Sequence, residues 1–527
     1  MPPAVPAPAF SFPGSVAARP GAVTTKGSWA VIALAVLVRM AVFPFADNKQ
    51  ADAPIRALLA QHMNASAAAA ADPRGFLQFG PLPIEVMRPV MAVTGETRVA
   101  SRLPSLLAGL LVFFPFFALA RRFGVGPGAQ ALAGLGLALA PLHVQVSTTA
   151  ATEALYLLFL LSTLVWLHDG VATRSRRAFL LAGLFGGLAA VTRYDMWLSL
   201  PAGAVAVLVL GPRDRRAFVD VGLFLGVAGV LPLAYLGWSL LAAGDPFFFV
   251  HHIKQDHAQL AAAAAGRLGP AAARVRQLAI WLISFAAAMT PLPFLGLACA
   301  AAVWRQASTA TRVALVTALS PIGVYLIQGL VLGEFEPLPR FAIAPGAVLL
   351  PLVAAELLRR WGARSPTVLL ALTVGVAVAF SATIEVLAFA RPGRSWSGAE
   401  CLGPLTRLDA EDRALADFLR AHRRPEEGVF VDPLGFTDIV IIEAAGIPIE
   451  KAATLSWTRT PAATLAETRA RTGASWFAAH DASWGRRPIP DWPSDGVRFG
   501  GWRVAHYWPG RVPGGYDMRP VAPARAR

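Results

Sequence analysis

Cysteine is almost missing from this chain, with two residues, Cys299 and Cys401, in 527. Cys299 lies inside an apolar block and Cys401 just beyond the last one, so there is no disulfide framework and no cysteine-based metal site. Charge is scarce as well. Charged residues make up 15% of the chain against 55% hydrophobic, and the mean hydropathy is +0.53. That balance excludes a string of soluble domains. Also missing are a P-loop, a GxGxxG after a strand, a GxSxG elbow and an HExxH pair. ATP-driven transport, dinucleotide chemistry and zincin-type proteolysis lose their support with them.

What is present is a set of apolar blocks of membrane-crossing length. They lie at 28–45, 99–120, 129–147, 151–167, 178–192, 196–210, 218–240, 278–303, 313–332, 342–358 and 366–389, which predicts a mainly α, polytopic membrane protein with about eleven spans. The net charge of +15 invites a nucleic-acid reading. The basic residues, however, cluster between spans and form no basic face interleaved with aromatics, which argues against nucleic acid. The short loops 121–128, 168–177, 211–217, 304–312 and 359–365 carry 13 Lys/Arg in 41 residues, whereas 46–98, 241–277 and 333–341 carry 10 in 99. The positive-inside tendency then places the first set in the cytoplasm, with the N-terminus, and the second set outside. The Ala/Arg-rich composition suggests a bacterium, hence an inner membrane and a periplasm.

Three parts follow. Residues 1–27, rich in Pro, Ala and Gly, read as a disordered cytoplasmic tail. The block after it is long, carries Arg39 and lacks a small-residue cleavage site, so it reads as an uncleaved first span rather than a signal peptide. Residues 28–390 form the membrane domain. The third part, 391–527, reads as a small α/β domain outside the membrane, with a helix at Asp409–Arg423, a strand at Gly428–Asp432 ending at a Pro-Leu-Gly turn, a helix near Pro461–Arg471, and strands at Ala474–Ala479 and Trp502–Trp508. Its tryptophans, Trp484, Trp492, Trp502 and Trp508, suit plain packing better than stacking on sugar rings.

The residues that could carry chemistry collect on the outer side. Asp47 and Asp52 follow the exit of the first span, where a half-desolvated base could meet a substrate at the lipid surface. Asp52 before Ala53-Pro54 is equally a good N-cap. Glu153 opens the fourth block, costly unless paired or facing a polar cavity, or else held by the helix dipole. Arg193, Tyr194 and Asp195 lie between two spans. Arg193 and Asp195 could neutralise each other, or the guanidinium could face a phosphate. Arg340 starts the tenth block on the same side. Arg39, inside the first span, calls for an anionic partner. His251, His252 and Lys254 belong to a loop rich in His and Phe that reads as an interfacial helix. Their spacing fits no zinc motif, and phosphate contact is the preferred use.

The order of these segments resembles that of the polytopic glycosyltransferases of the GT-C superfamily, of the protein O-mannosyltransferase and lipid A aminoarabinose transferase type (glycosyltransferase family 39-like). The resemblance rests on the Arg39-bearing span, Asp52-Ala-x-x-Arg56, Gly80-Pro81-Leu82-Pro83, Ser101-Arg102-Leu103-Pro104, Thr152-Glu153, the segment from Thr192 to Trp197, and Arg340-Phe341 with Pro345. The family's Asp-Glu pair is absent, because Ala53 follows Asp52, so either Asp47 or Asp52 fills the place of the loop carboxylate. Asp52 is preferred for its helix-start context and its neighbour Arg56. The resemblance implies sugar transfer from a polyprenyl-phosphate donor to a glycan, lipid or protein acceptor on the periplasmic side. In it Asp52 acts as base, Glu153 orients sugar or acceptor, and Arg56, Arg193, Tyr194, Asp195, His251, His252, Lys254 and Arg340 bind substrate. Direct displacement would invert the anomeric centre. The need for a divalent cation stays open. Competing readings are a polytopic transporter or lipid flippase, and an inactive scaffold whose C-terminal domain binds cell-wall material.

Overall fold

The computed structural model describes residues 26–49, 52–76, 79–95, 97–289, 293–305, 307–362, 366–389, 402–431, 437–454, 473–481, 497–507 and 518–519. The tail at 1–25, the turn after Val431, the helix expected near 461–471 and the residues Cys401, Trp484, Trp492 and Trp508 lie outside them.

Every expected apolar block falls on helix. Among the described residues, seven helices are long and apolar enough to cross a membrane, or eight if the bent pair Pro127–Leu139 and Pro141–Thr148 is one span. The count of eleven is not reproduced on that measure, for local reasons. The blocks at 178–192 and 196–210 become helices of only 17 and 16 residues, Arg176–Thr192 and Asp195–Leu210. The block at 278–303 straddles two helices, Pro270–Met289 and Pro293–Trp304. Several helices leaving the basic loops start on side-chain caps, as the free amides of a first turn require. Ser175 accepts from Ala178 N at 3.4 Å, Asp214 from Ala217 N at 2.8 Å, and Ser308 from Thr311 N at 3.1 Å.

Apolar side chains fill the bundle from Val31 to Leu402 as one cluster. Small residues allow close helix contact: a Cβ on Gly187 would stand 3.0 Å from the Ala228 carbonyl oxygen. The bent pair explains Arg39. Pro141 breaks the helix by 58°, and the break leaves carbonyls that the next turn cannot satisfy. The Arg39 guanidinium donates to Ala138 O and Ala35 O, each at 3.1 Å, meets the His143 ring nitrogen and stacks over Phe113. The expectation of an anionic partner is corrected here, since the partners found are carbonyls, an imidazole and a π-face.

Beyond the last span the described residues include six strands: β1 (Gly428–Val431), β2 (Ala452–Thr454), β3 (Ala474–His480), β4 (Val497–Phe499), β5 (Trp502–Tyr507) and β6 (Met518–Arg519). Their order is β2-β1-β3-β5-β4, with β6 also on β5. β1 pairs in parallel with β2 and β3, and β5 runs antiparallel to its neighbours. The helices Ala410–His422 and Thr437–Ala444 pack beside the sheet. Trp502 is fully buried, its indole N–H on Asp412 at 2.8 Å, which is the packing role expected of it. The C-terminal segment does not build its core alone. Val429, Ile441, Trp476 and Trp502 belong to the same apolar cluster as Leu58, Met63, Phe76 and Met87 of the first loop.

Candidate active site

The first loop is helical. Ala53–Ala65 and Pro81–Thr94 lie over the bundle, the first headed by Asp52. Asp52 occupies the N-cap position, but its backbone is already α-helical and its side chain caps nothing. The carboxylate turns instead to arginines. It pairs with Arg340 in a close ion pair and, through the same oxygen, with Arg56 at 3.3 Å.

The other charges arrive from the ends of spans. Glu153 begins the helix Glu153–Thr173 and is 2% exposed. It meets Arg193 closely and Arg340 at 3.4 Å, while its second oxygen has no hydrogen-bond partner. Arg193 sits in extended backbone at the end of the helix Arg176–Thr192. This aims the guanidinium at Asp195, 2.5 Å away, and at Glu153, with the Phe341 ring 5.3 Å off. The Tyr325 hydroxyl donates to the remaining Asp195 oxygen. Tyr325 lies just before a π-helical turn at Ile327–Leu332, a distortion frequent at functional sites.

Three arginines thus interlock with three carboxylates beside a narrow cleft. Glu153, Tyr156, Arg193, Asp195, Tyr325, Arg340 and Phe341 line it. Burial pushes the Asp52 carboxyl up, but the cations of Arg340, Arg56 and Arg193 outweigh it and hold the group below the usual carboxylate range. Burial lowers Arg56 to about 10 against the pull of Asp52 and Glu153. Arg193 also loses solvation, yet Asp195 and Glu153 leave it more strongly basic than a free arginine. A buried, charge-balanced network of this kind is what an anionic ligand or a proton transfer needs close by, and structural ion-pair networks are its commonest alternative.

Matches to known proteins bear on the fold that carries this cluster. The family model of dolichyl-phosphate-mannose-protein mannosyltransferases matches residues 80–238, a span holding Glu153, Arg193 and Asp195. No curated relative matches the sequence. Among solved structures, ArnT from Cupriavidus metallidurans in the apo state is 16% identical, covers 90% of this chain and 97% of its own, and superposes with a TM-score of 0.57. The same protein bound to undecaprenyl phosphate gives 16%, 91%, 98% and 0.55. The Archaeoglobus fulgidus oligosaccharyltransferase in complex with Zn and sulfate gives 13%, 86%, 68% and 0.51. This chain has the GT-C fold of those structures.

Within this GT-C scaffold Asp52, Arg56, Glu153, Arg193, Asp195 and Arg340 come together from four regions of the chain. The other expected site residues do not join them. Asp47 is fully buried but paired with Arg98 and Arg413, and it accepts from Leu408 N at 2.9 Å. It clasps the C-terminal segment rather than the cleft. The Tyr194 hydroxyl donates to Phe79 O at 2.9 Å and its ring stacks on Phe249 at 4.3 Å. That stacking tethers the second long loop, so the aromatic run dips into a protein pocket at Phe249, which is fully buried, and not only into headgroups. His251, His252 and Lys254 are exposed on the helix Phe248–Leu268, with His251 bonded to Asp245 at 3.0 Å.

The loop residue that reaches this cluster is His257, which the sequence reading left in the His-rich run without assigning it to the site. Its ring stacks on Phe335 at 4.3 Å and contacts Phe341. Burial and the Arg340 charge lower it to about 4, so it is neutral at physiological pH. A carbonyl can only accept, so Nδ1–H donates to Glu336 O at 3.1 Å and Nε2 is left as an acceptor. Tyr325 was missed as well, and its place near a polar span end was the available signal. Among the described residues, no group of three or more His, Cys, Asp or Glu is placed to hold a metal ion.

Proposed function

We propose that this GT-C protein transfers a sugar from a polyprenyl-phosphate donor to a hydroxyl acceptor, on the membrane side opposite the short basic loops. In a bacterium that is the periplasmic side of the inner membrane. The observation that carries the reading is the ion pair of Asp52, which could have capped its helix and does not, with Arg340, one of the residues that line a cleft together with Glu153 and Arg193. ArnT, the solved structure that matches over nearly its whole length, is reported bound to undecaprenyl phosphate, and this supports the choice of donor.

The chemistry is a single displacement. The acceptor oxygen attacks the anomeric carbon as the bond to the phosphate oxygen breaks, and the hydroxyl proton passes to the Asp52 carboxylate. Polyprenyl phosphate leaves with the bonding electrons. Its growing negative charge is met by Arg340 and Arg193, fixed donors in a site where little reorganisation is needed. Glu153, with one oxygen unengaged, orients sugar or acceptor. Attack opposite the leaving group inverts the anomeric centre.

The test is a transfer assay in membranes with radiolabelled polyprenyl-phosphate sugars, comparing wild type with Asp52→Asn. Transfer by wild type and its near-complete loss in the folded variant is expected. Near-normal turnover by the variant would remove Asp52 from the role of base. No transfer from any donor by intact wild type would turn attention to lipid-linked substrate accumulating on one leaflet, the signature of a flippase.

A further inference from the structure

Asp52, Glu153 and Asp195 carry three negative charges, and Arg56, Arg193 and Arg340 carry three positive ones. The cleft is therefore electrically closed. An incoming phosphate finds no surplus cation, and the base it needs is bound to an arginine. Arg340 lines the cleft and Asp52 is not among the lining residues, so an anion entering the cleft meets Arg340 before the carboxylate behind it.

We infer that Arg340 is a latch on the base, held by Asp52 in the free protein and taken over by the donor phosphate, so that the donor must bind before Asp52 can act on the acceptor. The inference rests on the glycosyl-transfer reading and adds an order of events to it. Arg193 is the wrong group for the exchange, being held by two carboxylates at once. Arg56 lies under the Phe79 ring at 4.6 Å and is 3% exposed. Arg340 stands between two acceptors, and its Nε makes no hydrogen bond despite lying 3.4 Å from Glu153. It can pivot toward a phosphate, whose oxygens match the guanidinium fork.

In the bare site Arg340 and Arg56 both pair with the same Asp52 oxygen, so Arg340 restrains the base through its charge. When Arg340 turns to the phosphate, Asp52 keeps Arg56 at 3.3 Å. Losing the Arg340 charge raises the proton affinity of the carboxylate, which makes it the stronger base at the moment the donor is in place.

The experiment measures binding of undecaprenyl phosphate to the purified full-length protein in detergent. Four forms are compared: wild type, Asp52→Asn, Arg340→Gln, and the double variant. If the phosphate has to pull Arg340 from Asp52, removing the carboxylate charge tightens binding by about ten-fold, the worth of one charge-assisted hydrogen bond. In the Arg340→Gln background the same change then gives no gain. Equal or weaker binding by Asp52→Asn overturns the latch. So does a gain that persists without Arg340, which would mean plain repulsion between carboxylate and phosphate. If Asp52→Asn does not purify as a folded protein, the charge-balanced Asp52→Asn/Arg56→Gln pair is compared with Arg56→Gln on the same criterion. Failure of wild type and all variants to bind would sink the donor reading itself, and the latch with it.

Discussion

Glu443 offers a pH-dependent test of how the C-terminal segment is tied to the first loop. It lies in the helix Thr437–Ala444 and is 3% exposed. Asn48 donates to it at 3.0 Å, donates to Ser101 at 3.2 Å and accepts from Ala150 N at 2.9 Å. One amide therefore joins the first loop, the second span and the C-terminal segment. Burial pushes the Glu443 carboxyl up to about 7 from its ordinary 4.5, against the lowering pull of the Asn48 hydrogen bond and the Arg98 charge. Between those two values the folded protein keeps a proton that the unfolded chain has released. Stability from this group is therefore fully present below about 4.5 and is lost as pH rises through about 7. At 1.36 kcal/mol per unit the loss is about 3 kcal/mol. Glu443→Gln cannot titrate, so it should stand within about 1 kcal/mol of wild type at pH 5 and exceed it by about 3 kcal/mol at pH 8. Thermal unfolding of both proteins in detergent from pH 5 to 8.5 measures the difference. Asp412, raised to about 6 by burial against the Trp502 hydrogen bond, titrates in both and cancels. Parallel curves for the two proteins would refute the reasoning.

Two further substitutions test the frame around the site. Gly80→Ala should lower stability by about 2 kcal/mol or more and reduce transfer, because its Cβ would collide with the backbone carbonyls of Val191 and, at 2.6 Å, Thr192, directly beside Arg193. A variant with wild-type melting and turnover would show that the loop can lift away freely. Asp47→Ala removes a fully buried carboxylate, but Arg98 and Arg413 are partly exposed and can reach water, so the expected cost is about 2–3 kcal/mol, at the low end for a broken buried pair. The readout is the melting temperature together with protease cleavage near residue 402, and an unchanged pattern in both would exclude the clasp.

The membrane architecture could be read from the sequence because it rests on a local requirement. A chain crossing lipid must satisfy its backbone internally, so apolar runs become helices whatever lies around them. The charged residues of the candidate site were legible as such for a related reason. Glu153, Arg193, Asp195 and Arg340 stand at span ends where desolvation is costly, so each had to be compensated. Their partners were not legible, because nothing local to Asp52 says that its carboxylate will reach Arg340 rather than cap its own helix. The second long loop shows the same limit. Helical phase turns His257 toward Phe335 and leaves His251, His252 and Lys254 exposed, and phase depends on how Phe249 docks under Tyr194. Asp47 resembled Asp52 as a loop carboxylate, and only the folding of the C-terminal segment against the first loop set Asp47 in a clasp away from the cleft. Hydropathy and charge placement, fixed by residues close in sequence, determined the spans. Ion-pair partners brought together from opposite ends of the chain depend on packing, and only the tertiary structure decided them.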